Sequence, residues 1–199
     1  MLRHGSGIMS KKEESREDGE KEQEEKEIIK TSLEEDRILV PSSEDTEGLS
    51  SRGYGTPVND DLALTFYEAL YLLSKGIIEV RDHETDSVVA FQDLLQKYRS
   101  VGKDAWGKYL IYRDLRSRGY VVREGFGLGI DFRVYKRGEY GKAAAEYLIL
   151  GIQEGQPVAV EDLARILTRV QSSKKSLILS VLNRRGEIVY YSLSRLAFK

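Results

Sequence analysis

Residues 125–150 read GFGLGIDFRVYKRGEYGKAAAEYLIL, and the division of this stretch decides the fold. The alternation over 128–135 predicts a strand, with Asp131, Arg133 and Tyr135 on one face and Ile130, Phe132 and Val134 on the other. A polar turn carrying Gly138 and Gly141 follows, then three alanines, then an apolar run over 146–152 that predicts the next strand. A carboxylate, a guanidinium and a phenol on one face, at a strand end beside a polar turn, make Tyr135 the first candidate site residue. The same three side chains also suit the solvent face of a half-buried sheet, and the residues alone leave both readings open. The glycines of Gly125-Phe-Gly-Leu-Gly precede a strand rather than a helix, a poor match to a dinucleotide loop.

Upstream, residues 105–118 predict a helix with Trp106, Tyr109, Leu110 and Leu115 apolar and Gly119 ending it, and 120–123 a strand. Downstream, Leu163, Ile166, Leu167 and Val170 mark one face of a helix over 161–172. Strands follow at 177–182 and 188–193, joined by the hairpin turn Asn183-Arg-Arg-Gly. This half is a mixed sheet covered by two helices. Before the boundary at 100–104, the pattern predicts strands at 37–40 and 77–81 and helices at 60–75 and 91–99, with 41–51 a polar loop. Asn59 or Asp60 would cap the 60–75 helix and Gly76 end it. Arg52-Gly-Tyr-Gly suits a tight turn presenting the tyrosine ring. The fold class is therefore α/β (α+β): two small mixed α/β domains, 37–104 and 105–199. Residues 1–36 carry too little apolar surface to offset their ordering entropy and are expected to be a disordered acidic tail, with Met9 as an alternative start.

The 199 residues suit one ordinary domain or two small ones, and no apolar run approaches the ~20 residues of a membrane span. Cysteine is absent, which excludes disulfides and thiolate metal sites, and with only His4 and His83 a histidine-rich metal site is not expected. The expectation is a cytoplasmic protein with no cofactor, no metal and no membrane partner. The net charge of −2 hides a gradient: residues 105–199 hold 17 Lys and Arg against 9 Asp and Glu. A basic half attracts a polyanion, nucleic acid first. Arg165 and Arg169, four apart on one helix, together with Lys174, Lys175, Arg184 and Arg185, could hold phosphates or stack on unpaired bases. No Ser–His–acid or Cys–His arrangement is possible after His83. His83 itself sits among acids in a polar loop, where a solvated role is the default.

Several motifs in order carry a resemblance. YLIYRDLRSRGYVVREG at 109–125 and GIDFRVY at 129–135 resemble the nuclease domain of archaeal tRNA-splicing endonucleases. RGYG at 52–55 and FYEALYLLSKG at 66–76 look like that family's N-terminal domain, and RVQSSKK at 169–175 and GEIVYY at 186–191 fit its end. The resemblance implies a nuclease-type C-terminal sheet and excision of introns from precursor tRNA at bulge-helix-bulge motifs. It implies cleavage without metal, in which the ribose 2′-hydroxyl attacks the adjacent phosphate and leaves a 2′,3′-cyclic phosphate and a 5′-hydroxyl. A tyrosine, a histidine and a lysine carry that reaction. The tyrosine falls on Tyr135 and the lysine on Lys175, with Lys174 adjacent; the histidine position falls on Ala144. Arg169 matches an arginine that stacks on a bulged base. The turn before the last strand, acidic in the family and docked into a neighbouring subunit, here reads Asn183-Arg-Arg-Gly-Glu. The resemblance thus implies a structural subunit partnered with a catalytic subunit in a heterotetramer. The open alternatives are an active enzyme using another group, such as Glu146 or a His83 donated across a contact, and an RNA-binding module without the assembly.

Overall fold

The computed structural model describes residues 28–196, except Asp36, Lys103 and Leu128. The first unit runs β1 (Ile29–Leu33), β2 (Ile38–Val40), α1 (Glu44–Ser51), β3 (Thr56–Val58), β4 (Asp61–Leu64), α2 (Phe66–Ser74), β5 (Ile78–Asp82) and α3 (Phe91–Val101). Its sheet has the order β3-β4-β2-β1-β5, with β1 and β5 parallel and the other pairs antiparallel.

Three expectations are corrected here. Residues 29–33, assigned to the acidic tail, are instead a strand flanked on both sides within the sheet. Thr31 and Leu33 are buried, and the Thr31 hydroxyl donates to the Glu79 carbonyl at 3.1 Å. Residues 1–27, the rest of the expected tail, lie outside the described residues. The expected polar loop at 41–51 contains α1, which buries Leu49 completely. The expected 60–75 helix is a strand followed by a helix. Leu62 and Leu64 alternate inward along β4, and Asn59, at φ 55°, turns β3 into β4. Helix α2 starts only at Thr65, whose N–H and hydroxyl both donate to the Glu68 carboxylate at 2.9 Å. That cap outcompetes Asn59 and Asp60 because it satisfies the cap residue's own donors while Glu68 is buried. Gly76, at φ 64°, ends the helix turn as expected.

The second unit runs α4 (Ala105–Ser117), β6 (Val121–Gly127), β7 (Ile130–Tyr135), β8 (Tyr147–Gln153), α5 (Val160–Ser172), β9 (Ser176–Leu182) and β10 (Ile188–Leu193). The sheet order is β10-β9-β8-β7-β6; β8 and β9 are parallel, with α5 as their crossover, and the remaining pairs are antiparallel. Helix α5 covers one face through Leu167 and Val170, which meet Ile130, Leu148 and Leu177. Helix α4 covers the other face and packs against α2, so the two units share a core.

That shared core is aromatic. The Tyr67 ring of α2 meets Phe132 edge-on at 5.1 Å and Tyr112 of α4 at 4.9 Å. Burial pushes the phenols of Tyr67 and Tyr112 well above their ordinary range, so both stay protonated. Beside them Arg123 of β6 crosses between the units, donating to Glu68 and to the Gly53 carbonyl at 3.1 Å and to the Thr56 hydroxyl at 3.0 Å. Tyr54, expected to be presented by its turn, points inward instead: it is buried, and the Arg116 guanidinium sits 3.8 Å from its ring centroid.

Candidate active site

Tyr135 closes β7, opposite Val121 of β6, and its half-buried ring opens onto a cleft of about 760 Å³. Glu47, Ser50 and Ser51 of α1 form one wall, and Tyr140, Gly141, Lys142, Ala143 and Ala144 another. Tyr140 meets Tyr135 at 5.0 Å with the rings nearly perpendicular. It also lies against Gly53, where an added Cβ would fall 3.2 Å from its ring and 2.4 Å from Val121. Gly53 has φ 78°, so both the turn and the close approach call for glycine.

The 136–146 loop is tied at its base. Lys136 and Glu146 form an ion pair, and that contact holds the Glu146 carboxyl below the usual carboxylate range and raises the lysine. Lys175 reaches the same loop from the other side by donating to the Ala145 carbonyl. Lys174 is the hinge that permits this. It sits at φ 55° with its side chain exposed, and turns the chain from α5 into β9 so that the half-buried Lys175 faces β8. Tyr135 and Ala144 therefore share one cleft, with Lys175 bonded to the residue after Ala144. Ala144 is exposed and lines the cleft together with Tyr135.

Asp131 does not join this group. β8 pairs with β7 only over Phe132–Val134, so the strand diverges before Asp131 and the expected alternation breaks. Ile130 packs under α5 while Phe132 and Val134 pack under α4. The Asp131 carboxylate accepts from the Gly151 N–H at 2.8 Å and pairs with Lys108 of α4 at 3.1 Å.

The chain matches the family models of the tRNA intron endonuclease N-terminal domain over residues 29–95 and of its catalytic C-terminal domain over residues 105–190. It is 31% identical to the tRNA-splicing endonuclease of Methanococcus maripaludis over 171 residues, 86% of this chain and 96% of that protein. It is 31% identical to the Pyrococcus furiosus tRNA-splicing endonuclease over 169 residues, 84% of this chain and 96% of the relative. It belongs to the tRNA intron endonuclease family. The Methanococcoides burtonii tRNA-splicing endonuclease is 34% identical over 168 residues, 84% of this chain but only 46% of that longer relative.

Measured against the endonuclease resemblance, the basic residues separate into two groups. Arg169 is exposed and lines a cavity of about 180 Å³ together with Gly127, Ile130, Ser173 and Lys175. Arg165, one turn earlier, is engaged with Asp162 at 2.7 Å. His83 lines a cavity with Glu34, Asp82 and Lys97, apart from the Tyr135 cleft. Among the described residues no group of three or more His, Cys, Asp or Glu is placed to hold a metal ion. The α1 wall and Tyr140 escaped sequence reasoning. Tyr140 carried a signal, an aromatic between two glycines five residues after Tyr135, whereas α1 followed from no apolar period in its polar sequence.

Proposed function

We propose that this chain is the structural subunit of a heterotetrameric tRNA-splicing endonuclease, working in the cytoplasm on precursor tRNA with a catalytic subunit. The observation that carries this reading is Ala144 beside Tyr135 in an otherwise formed cleft. Metal-independent cleavage at a bulge-helix-bulge requires a proton to leave the attacking 2′-hydroxyl and another to reach the departing 5′-oxygen. In this reading Tyr135 and Lys175 are the remnant of a triad: the phenol positions or exchanges a proton, and the ammonium offsets charge on the phosphorane. Arg169, with Arg165 and Lys174, would hold the RNA, Arg169 by stacking on an unpaired base. Edge strand β10 supports a partner, since it pairs with β9 alone and leaves Val189 and Tyr191 about half exposed, at 49% and 54%.

The alternative of an active enzyme with a substitute group is weakened at Glu146. Its carboxyl is held ionised by Lys136 and is therefore a poor proton donor near neutral pH. The test is cleavage of a bulge-helix-bulge RNA by this chain, by a histidine-bearing homologue, and by their mixture. The expected result is cutting by the mixture and none by this chain alone. Robust cutting by this chain alone would overturn the structural role, and failure of the two to co-elute would favour an RNA-binding module.

A further inference from the structure

Residues 17–27 read EDGEKEQEEKE, seven acids against two lysines, and precede the first residue matched to the family. They lie outside the described residues, but the point at which the chain leaves them is fixed. Strand β1 begins where the Ile29 N–H donates to the Ile77 carbonyl at 3.0 Å, two residues beyond Lys75 at the C-terminal end of α2. A segment with no apolar side chain has no core of its own to join, so charged surface beside this point is its first available partner.

Such a surface lies along the seam between α2 and α4, where cations rest on tyrosine rings. The ammonium of the exposed Lys75 is 5.8 Å from the Tyr71 centroid. Tyr71 stacks with Tyr54 at 6.5 Å, and the Arg116 guanidinium is 3.8 Å from the Tyr54 centroid. Lys75 and Arg116 are therefore two stacked rings apart. The exposed Arg113 precedes Arg116 by three residues on α4, which puts both on one side of that helix. The acids within the two helices have cations of their own: Glu68 meets Arg123 at 3.1 Å, and Asp114 meets Arg118 at 2.8 Å. Lys75, Arg113 and Arg116 form no ion pair with any described residue.

We propose that residues 17–27 dock on this seam, carboxylates against Lys75, Arg113 and Arg116, so that the chain carries an internal polyanion which RNA has to displace. Eleven residues extend to roughly 36 Å, enough to cover two stacked rings with chain to spare. Tethering keeps the segment at an effective concentration in the millimolar range, so individually weak ionic contacts are occupied. The docking goes beyond the proposed function; the competition with RNA rests on the reading that the chain works on precursor tRNA.

The chain has no cysteine, so Gln23→Cys takes a single nitroxide label without changing the charge of the segment. At low salt the amide signals of 112–117 on α4 are expected to broaden in the full-length labelled chain. They sharpen again at about 0.5 M salt, where exposed ion pairs are screened, and in the double variant Lys75→Gln, Arg113→Gln. In a second arm, a labelled bulge-helix-bulge RNA is titrated and anisotropy is followed. The variant Glu22→Gln, Glu24→Gln, Glu25→Gln, Glu27→Gln should bind about tenfold tighter than the unmodified chain at low salt. That gain should fall below about twofold when Lys75→Gln and Arg113→Gln are already present. No broadening on α4, or broadening that neither salt nor the double variant moves, overturns the docking. An equal gain in both backgrounds means long-range repulsion of RNA and overturns the competition. Absence of RNA binding by every variant removes the precursor-tRNA reading and the competition with it, while the nitroxide arm still decides the docking.

Discussion

Two polar regions lie close together in this molecule and are built on opposite terms. Around Glu68, carboxylate, guanidinium, hydroxyl and backbone groups from both units meet in one network, with Glu68 and Arg123 side chains 2% and 13% exposed. Around Tyr135, the cleft is open, its loop is held in place by Tyr140, Lys136 and Lys175, and Ala143 and Ala144 complete its lining. The first region has partners for its charges and serves cohesion. The second is open to solvent, and its lining ends in small side chains.

The contrast is sharpened most by placing a histidine in the cleft beside Tyr135. Ala144 is exposed and outside the left-handed backbone region, so Ala144→His fits without strain. With the frame intact, the variant should raise cleavage of a bulge-helix-bulge RNA about 10²–10⁴-fold over the unmodified chain, read in single-turnover assays. No gain in a folded variant would show that the frame around Tyr135 is not competent.

Next in size is the buried network. Arg123→Ala leaves the Glu68 carboxylate buried without its cation and should cost about 3–5 kcal/mol, read from urea unfolding. Burial raises the Glu68 pKa and Arg123 lowers it, so removing Arg123 drives it further up. The folded state then binds the proton more tightly than the unfolded state. Stability falls as pH rises through the folded pKa, and the penalty should be smaller at pH 5 than at pH 8. An equal penalty at both pH values would mean that Glu68 is not the group left stranded.

The smallest effect marks the other end of the comparison. The Arg165–Asp162 pair is the exposed counterpart of Arg123–Glu68, its side chains 63% and 55% exposed. Arg165→Ala should change stability by less than about 0.5 kcal/mol. A larger loss in thermal melts would show that α5 depends on this ion pair rather than on Leu167 and Val170.

The C-terminal sheet was the more legible half. Helix α5 buries Leu167 and Val170 of its expected apolar face, and β7, β8 and β9 lie close to the runs that the sequence marks as strands. The N-terminal sheet was less so, because short strands carry few repeats. β1 stood next to acidic sequence and offered only Ile29 and Leu33 as apolar members, while Thr31 was buried through a hydrogen bond that a hydrophobic pattern does not register. At β4 and α2, helical and alternating spacings overlapped through Leu62, and the Thr65–Glu68 cap settled the boundary. In the cleft, Tyr135 stands at the end of its strand as the alternation predicts. Asp131 could not be placed from sequence, because its direction depends on where β7 parts from β8, a property of two strands rather than one.

Tyr140 has a kinetic consequence. Its ring touches Gly53 in the N-terminal unit and Tyr135 in the C-terminal one. Half-turns of that ring about its Cβ–Cγ axis need momentary clearance on both sides at once. The rate at which its two edges exchange magnetic environments would therefore measure how often the units breathe apart at the mouth of the cleft, without any probe attached to either.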